Sequence, residues 1–252
     1  MRLSELVAYT DRLLAVENFN DYCPNGLQVE GRADVETLIG GVTACQALLD
    51  AAVARAADAV LVHHGWFWKG ESPRIVGMKQ RRLTTLLRHG ISLIAYHLPL
   101  DAHPELGNNV QLARVLDLTV IGTAGGNGRT PGLVMLGELA QPISGDAFTA
   151  HITARLGREP LHVSGEATPI RRLAWCTGAA QSFIEIALNA GADAFLTGEA
   201  SEQTVHIARE NGLHFFAAGH HATERHGVPA LGAHLARQFA LRFAFIDIDN
   251  PV

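Results

Sequence analysis

The chain has 252 residues, of which 48% are hydrophobic and 6% are aromatic, enough for one large domain or two small ones with a proper core. A net charge of −5 without a dense Lys/Arg cluster argues against a nucleic-acid surface, and the lack of a run of 18 apolar residues argues against a membrane span. The 3 cysteines form no CxxC motif, which fits a reducing cytoplasm and excludes a Cys-ligated zinc motif.

Hydrophobic periodicity and turn residues predict an α/β protein. Residues 1–16 carry charges among their apolar positions, which indicates an amphipathic helix and not a signal peptide. Further helices are predicted at residues 46–57, 81–89, 182–190, 202–211 and 228–239. Strands are predicted at residues 38–42, 60–62, 91–96, 132–139, 173–176, 194–197, 214–218 and 242–248. Residues 21–26 have the composition of a loop.

A glycine-rich stretch at residues 122–132 marks a change in composition. It lacks the strand–GxxxxGK[ST]–helix frame of a phosphate-binding loop, so a linker or hairpin is favoured. We place the boundary between two α/β halves here, with residues 1–124 in the first half and residues 125–252 in the second, and elements could be exchanged between them.

The two halves share a pattern. A helix and an apolar strand at residues 46–62 recur at residues 181–197, with a constant offset of 135. Each half then has a further strand that ends in His-x-x-x-acid, at His97…Asp101 and at His220…Glu224. Hydrophobic patterning alone would make any two βα units alike, but it would not produce the repeated histidine and acid.

The chain is organised around the stretch Ala59–Gly65, in which an apolar strand runs directly into His63 and His64. Ligand sites of open α/β sheets lie at such strand ends. Imidazole nitrogen and carboxylate oxygen are the ligands that Zn, Mn and Fe ions favour. The sequence therefore predicts a metal site built from several strand ends, with His220 and Glu224 on one helix face if a helix begins there.

The residues leave several roles open. Pro99 predicts that the segment from His97 to Asp101 is not helical, since the residue before a proline avoids the α region. Asp101 is favoured as a ligand, whereas His97 could ligate, support a ligand or transfer protons. Glu199 could face the site or cap the helix that follows. The aromatic residues 66–68 could wall a substrate pocket or belong to ordinary packing.

Four segments resemble the Nif-three-like family, whose bacterial members are often labelled GTP cyclohydrolase I type 2 homologues. They are Asp21-Tyr22-Cys23-Pro24-Asn25-Gly26-Leu27-Gln28-Val29, His63-His64-Gly65, His97-Leu98-Pro99-Leu100-Asp101 and Gly219-His220-His221-Ala222-Thr223-Glu224. The resemblance covers nearly the whole chain and is closest to the short bacterial form.

The resemblance implies two similar, intertwined α/β halves with a dinuclear metal centre at their interface, in a homohexameric ring. Its implied ligands are His63, His64, Asp101, His220 and Glu224, with Glu224 bridging two divalent Fe, Zn or Mn ions. Many relatives have Tyr where this chain has His221, which leaves the choice between His220 and His221 open; the spacing to Glu224 favours His220.

Two functions follow as hypotheses. The first is a metal-dependent hydrolase that acts on a small or nucleotide-like substrate through a metal-bridging water, with His97 as proton shuttle. The alternative is a non-catalytic metal-binding ring protein, such as a metal chaperone, sensor or scaffold. The sequence selects neither the native metal nor the substrate, and it shows no GTP pocket.

Overall fold

The computed structural model describes residues 1–126, 132–166 and 169–252. They form two compact units that are each discontinuous in sequence. The first unit comprises Met1–Gly107 and Gly227–Asp249, and the second comprises Asn108–His226 and Asn250–Val252. Both units are mixed α/β and each contains a sheet, which confirms that the chain is an α/β protein.

The helices and strands account for most of the described chain. The helices are α1 Leu3–Leu13, α2 Gln46–Ala54, α3 Gly77–His89, α4 Leu98–Ala102, α5 Asn108–Val115, α6 Gly145–Leu156, α7 Ile184–Asn189, α8 Glu202–Glu210, α9 His220–Glu224 and α10 Gly227–Phe239. The strands are β1 Gly26–Val29, β2 Thr37–Thr43, β3 Ala59–His64, β4 Ser92–Ala95, β5 Thr119–Ala124, β6 Val134–Ile143, β7 Leu161–Val163, β8 Ile170–Trp175, β9 Ala194–Thr197, β10 His214–Ala217 and β11 Arg242–Phe245. Short 3-10 turns lie at Val16–Asn18 and Gln181–Phe183.

The sheet of the first unit has the strand order β1-β4-β3-β2-β11. Its strands are parallel except for β1, which pairs antiparallel with β4. Successive residues of β3 belong to different hydrophobic clusters: Val60 and Val62 pack with α2 and α3, whereas Ala59 and Leu61 pack with α1 and α10. Helices therefore cover both faces of β3, which explains its unbroken apolar run.

The sheet of the second unit has the strand order β5-β6-β8-β9-β10-β7. Strands β8, β9 and β10 are parallel, and antiparallel strands flank them on both sides. Here too the residues of the central strand alternate between two clusters, with Leu196 among residues of α5 and α6, and Phe195 among residues of α7 and α8. This sheet is also buried on both faces.

Each unit uses one aspartate to join two parallel strands at their amino ends. Asp58, just before β3, accepts hydrogen bonds from the backbone N–H groups of Glu36 and Thr37 at the start of β2. Asp193, just before β9, accepts equivalent bonds from the N–H groups of Arg171 and Arg172. Both carboxylates thus satisfy backbone donors at the amino end of a neighbouring strand.

The structure also departs from the predicted elements. Gly26, the last residue of the predicted loop, is the first residue of strand β1. Helices α5 and α6 and strands β1, β5 and β7 were not predicted. The chain passes from one compact unit to the other at residues 107/108, 226/227 and 249/250. The glycine-rich stretch joins β5 to the antiparallel β6, and residues 127–131 of it lie outside the described residues. Among the described residues, no helix is both long and apolar enough to cross a membrane.

Candidate metal centre

The two adjacent histidines lie at the carboxyl end of β3, as the sequence predicts. His63 is fully buried, and its Nδ1 lies 2.9 Å from the carbonyl oxygen of Tyr96. Because a carbonyl can only accept, Nδ1 carries the hydrogen, and in the neutral ring Nε2 carries the lone pair. This is the arrangement typical of metal-ligating histidines, in which one ring nitrogen is fixed by a backbone carbonyl and the other faces the ion.

His64 occupies a more open position beside its neighbour. Its Nδ1 lies 3.2 Å from the hydroxyl of Thr43 on β2, and its ring contacts Trp68 at a centroid distance of 5.9 Å. Gly65 follows, and a side chain at this position would collide with the carboxamide of Gln28. Trp68 thus lies against the histidines, whereas the more buried Trp66 belongs to the core of the first unit.

His97 and Asp101 follow the neighbouring strand β4. One ring nitrogen from each of His63, His64 and His97 lies within 4.8 Å of the others, a spacing compatible with binding of metal. The Oδ1 atom of Asp101 lies 3.5 Å from Nε2 of His63, and Asp101 is buried. The first unit therefore brings together three imidazoles and a carboxylate that the sequence singled out.

The segment between His97 and Asp101 is helical, and the prediction that it is not was wrong. Helix α4 spans Leu98–Ala102 with Pro99 in its first turn. The first-turn N–H groups of a helix have no partner within that helix, so proline is tolerated there. Asp101 is placed by this turn, which begins at His97 in the N-cap position.

His97 is held by Asp21, a residue of the predicted loop at 21–26. The Nδ1 atom of His97 lies 2.7 Å from Oδ1 of Asp21, and the backbone N–H of His97 donates to the side chain of Asn25. Burial raises the pKa of Asp21, but hydrogen bonds from His97, Asn25 and the N–H of Tyr22 outweigh burial and lower it below its ordinary value. The signal available in the sequence was the resemblance motif itself, which begins at Asp21.

In the second unit, His220 and Glu224 lie one helical turn apart on α9. The Nε2 atom of His220 lies 3.0 Å from Oε2 of Glu224, and its Nδ1 lies 2.6 Å from Oε1 of Glu199. Burial lowers the pKa of His220, but the two carboxylates outweigh burial and raise it to about 9. Glu199 therefore faces this site, while Ser201 caps helix α8 with its hydroxyl.

Gly178, after strand β8, permits the buried position of Glu224. Its φ of +70° is unfavourable for other residues, and a Cβ atom there would collide with the Glu224 carboxylate. Its N–H donates to the hydroxyl of Thr223, and its carbonyl accepts from the N–H of Gly198. Sequence reasoning missed this position, because a glycine alone does not reveal which side chain will lie against it.

The two His-x-x-x-acid motifs lie at different positions relative to the ends of the strands that precede them. Strand β4 pairs with β3 from Ser92 to Ala95, and β10 pairs with β9 from His214 to Ala217. His97 is the second residue after β4, whereas the second residue after β10 is Gly219. The motifs are thus offset by one residue: His97 precedes helix α4, and His220 is the first residue of α9.

The profile of the Duf34/NIF3 (NGG1p interacting factor 3) family matches residues 1–251. The chain belongs to the Duf34/NIF3 family. This confirms the resemblance stated from the sequence. A Duf34/NIF3 relative from Pseudomonas aeruginosa is 62% identical over 250 residues, which cover 99% of this chain and 98% of that one, and it is named GTP cyclohydrolase 1 type 2 homolog.

Solved structures agree with the Duf34/NIF3 assignment. The structure of the protein ybgI, described as of unknown function, is 54% identical and superimposes with a TM-score of 0.95 over 100% of both chains. TTHA1606 from Thermus thermophilus is 36% identical with a TM-score of 0.89, again over 100% of both chains. The mixed α/β fold with two sheets is therefore that of the Duf34/NIF3 family.

Proposed function

We propose that the chain binds two divalent metal ions and uses them to hydrolyse a small or nucleotide-like molecule. The proposed ligands are His63, His64, Asp101, His220 and Glu224, and the ions are Fe, Zn or Mn. The observation that carries the proposal is the convergence of imidazoles in the first unit, where one ring nitrogen each of His63, His64 and His97 lies within 4.8 Å of the others.

The donor atoms present fit such ions. Imidazole nitrogen and carboxylate oxygen are ligands of Zn and Fe sites, and the carbonyl of Tyr96 already fixes the ligating tautomer of His63. In the second unit, Glu224 is only 3% exposed, and a buried carboxylate requires a cationic partner. A metal ion would take the place of the proton that His220 shares with Glu224.

We further propose that the residues of both units bind the same two ions, with Glu224 bridging them. The support is the complementary donor content of the sets: the first offers mainly imidazoles, and the second offers carboxylates beside one imidazole. Two ions with four or more ligands each need more donors than either set supplies. A homohexameric ring of such chains is part of the same proposal.

When bound, two such ions lower the pKa of a coordinated water and polarise the bond that is cleaved. His97 carries the proton in this scheme. Its Nδ1 is occupied by Asp21, so Nε2 accepts the proton that the attacking water loses and returns it to the leaving group. Trp68 contacts His64 and His97 and forms part of the wall that keeps bulk water from the rings.

We also infer that the two units arose by internal duplication. The element series α1-β1-β2-α2-β3-α3-β4-α4 in the first unit has the same order as α6-β7-β8-α7-β9-α8-β10-α9 in the second. The offset of 135 holds for Asp58 and Asp193 and for the strand residues that each of them binds. After each series the chain contributes a helix and a strand to the other unit, namely α5 with β5 and α10 with β11.

Metal content tests the binding part of the proposal. We expect two ions per chain, by elemental analysis of protein purified without chelator, and a solution mass near six chains. His63→Ala and Glu224→Gln should each lose both ions, with affinity at least about tenfold weaker. His206→Ala is the matched control, because His206 is exposed and its ring pairs with Glu202 one turn earlier on α8. Loss of one ion in each variant, and of a different ion in each, would show two separate sites.

Turnover tests the hydrolase part. The protein loaded with Mn, Fe or Zn is assayed against phosphoesters, nucleotides, cyclic amides and peptides. We expect hydrolysis of one class that disappears in His63→Ala and falls at least about a hundredfold in His97→Gln, in line with the loss of a general acid–base group. If a protein with two ions per chain is inactive on the whole panel, the hydrolase assignment fails and the non-catalytic metalloprotein takes its place.

A further inference from the structure

We propose that Asp21 is a positioning residue that sets the tautomer of His97, keeping its hydrogen on Nδ1 and the lone pair of Nε2 turned to the chemistry of the site. The role of Nε2 in proton transfer rests on the proposed function, whereas the tautomer of His97 does not depend on it.

The hydrogen bond between the two side chains defines the tautomer. Oδ1 of Asp21 lies 2.7 Å from Nδ1 of His97. An ionised carboxylate has no hydrogen to donate, so the hydrogen between these atoms belongs to the imidazole. Neutral imidazole carries a single N–H, so Nε2 is left as an acceptor.

The carboxylate cannot turn away, because each of its oxygens has a second donor. Oδ1 also accepts from the N–H of Tyr22 at 2.6 Å. Oδ2 accepts from the Asn25 amide at 2.8 Å and from the N–H of Leu98 at 2.9 Å. The Asp21 side chain is 3% exposed, so water does not compete for these donors. Four fixed donors keep Asp21 ionised and hold the plane of its carboxylate in place.

The same loop also binds the backbone of His97. Asn25 accepts the N–H of His97 through Oδ1, at 2.7 Å, while its amide group binds Asp21. His97 is therefore fixed at its main chain and at its ring by residues four apart in sequence. Its ring is further flanked by the edges of Tyr22 and Trp68, with interplanar angles of 66° and 85°. The position of Nε2 is thus determined by contacts at the main chain of His97 and around its ring.

Two other interpretations of this cluster fit the distances less well. Asp21, Cys23 and His97 offer ligand atoms within 4.8 Å of one another, as a metal site would. However, two ligands that are each about 2.0–2.2 Å from a tetrahedral ion lie more than about 3 Å apart, and the Asp21–His97 distance is that of a hydrogen bond. Cys23 is not a proton acceptor for His97 either. Burial and the nearby Asp21 raise the pKa of its thiol to about 12, so the thiol keeps its own proton.

The arrangement resembles the use of aspartate to orient a catalytic histidine in hydrolases of other folds. When Nε2 takes a proton, the ring becomes an imidazolium whose charge faces the Asp21 carboxylate. When Nε2 gives up the proton, the ring returns to the same tautomer. Asp21 therefore acts through His97 and does not itself touch the reacting atoms.

Long-range ¹H–¹⁵N spectra of protein with ¹⁵N-labelled histidine measure the tautomer directly, with His97 assigned by the His97→Gln variant. We expect the Nδ1–H form in metal-free and in Zn-loaded wild type, and a shift of His97 alone toward the Nε2–H form in Asp21→Ala and Asp21→Asn. Asp58→Asn is the matched control, because it also removes a carboxylate that binds backbone N–H groups in the first unit and should leave His97 unchanged. An unchanged Nδ1–H form in Asp21→Ala would overturn the proposal.

A second readout separates this proposal from the hydrolase assignment. If a substrate is found, Asp21→Asn should lower kcat with little change in KM, and the Asp21→Asn/His97→Gln double variant should be no slower than His97→Gln alone. A further loss in the double variant would contradict an action of Asp21 through His97. If no substrate is hydrolysed but the tautomer shifts as expected, Asp21 keeps its positioning role and only the hydrolase assignment fails.

Discussion

The two units place different chemistry at the ends of corresponding strands. In the first unit, β3 ends in His63 and His64; in the second, the residues at the same offset after β9 are Gly198 and Glu199. Imidazoles therefore dominate one set and carboxylates the other. The scaffold is shared, but the donor atoms that it presents are not.

The turns that follow the next strand differ as well. In the first unit His97 precedes helix α4 and is held by Asp21, so its ring is fixed from outside the helix. In the second unit His220 belongs to helix α9 and is held by Glu199. A shift of one residue converts an N-cap position into a helical one. The location of a site can therefore follow from a common framework, while the roles of its residues depend on single positions.

The largest effect is expected at Gly178. The corresponding position of the first unit, 135 residues earlier, is Thr43, so the first unit has no glycine there. Gly178→Ala should displace the Glu224 carboxylate and abolish binding of both ions, because the new methyl group would occupy the place of Oε1. It should also cost about 1–2 kcal/mol, since alanine is strained at this φ. Elemental analysis and thermal unfolding measure the two effects.

Gly157→Ala is the matched control for that substitution. Gly157 has a φ of +76° at the end of α6, and a Cβ atom there would meet nothing within 4 Å. It should show the same loss of stability with full metal content. Equal metal content in both variants would mean that Glu224 does not need the space above Gly178.

Next in size is the comparison of the two strand-joining aspartates. Asp58→Asn should destabilise the protein by about 1–3 kcal/mol, because it removes the charged acceptor of two backbone N–H groups and of Arg32. Asp193→Asn should cost about 0.5–1.5 kcal/mol, because the bonds described for Asp193 are the two from backbone N–H groups. Denaturant unfolding of both variants gives the order; a larger loss for Asp193→Asn would contradict the extra stabilisation assigned to Arg32 at Asp58.

The same aspartate predicts a dependence on pH. Burial raises the pKa of Asp58, but the N–H groups of Glu36 and Thr37 and the Arg32 guanidinium outweigh burial and hold it below its ordinary value of 3.8. The ionised carboxylate therefore contributes its full stability above about pH 4 and loses it as the pH falls through the lower folded-state pKa. The difference in unfolding free energy between wild type and Asp58→Asn should shrink below pH 4. A constant difference down to pH 3 would show that the charge is not the source of the effect.

The smallest effect is expected at Pro99. Pro99→Ala should change the free energy of unfolding by less than about 1 kcal/mol and leave the metal content unchanged, because the first turn of α4 accepts either residue. His221, at the corresponding position of α9, instead donates its N–H to the carbonyl of Val252. His221→Pro removes that bond and should be the more damaging of the two, as thermal unfolding can show.

Much of this framework could be predicted from the sequence. The central strands β3 and β9 were visible because apolar runs that are buried on both faces have no polar interruptions. The offset of 135 was visible in the segments that carry them, and the family motifs indicated His63, His64 and Asp101 as candidates. These signals are local in sequence and can therefore be recognised from the sequence alone.

Other features depend on contacts between distant residues and could not be predicted. Strand β7 has only three residues, Leu161–Val163, and pairs with β10 across about fifty positions of sequence. Asp21 lies in a segment with loop composition, and its role follows from a partner at His97. Pro99 was misread because the rule for residues that precede proline ignores the first turn of a helix, where proline is favoured.

The central claim is that residues from both units bind the same two ions. Anomalous diffraction from crystals of the metal-loaded protein, collected at the absorption edge of the bound element, tests it most directly. The account predicts two peaks, with Glu224 bonded to both and with His63 or His64 among the remaining ligands at about 2.0–2.2 Å. A structure in which Glu224 contacts neither ion, while the imidazoles of His63 and His64 bind theirs without it, would contradict the account.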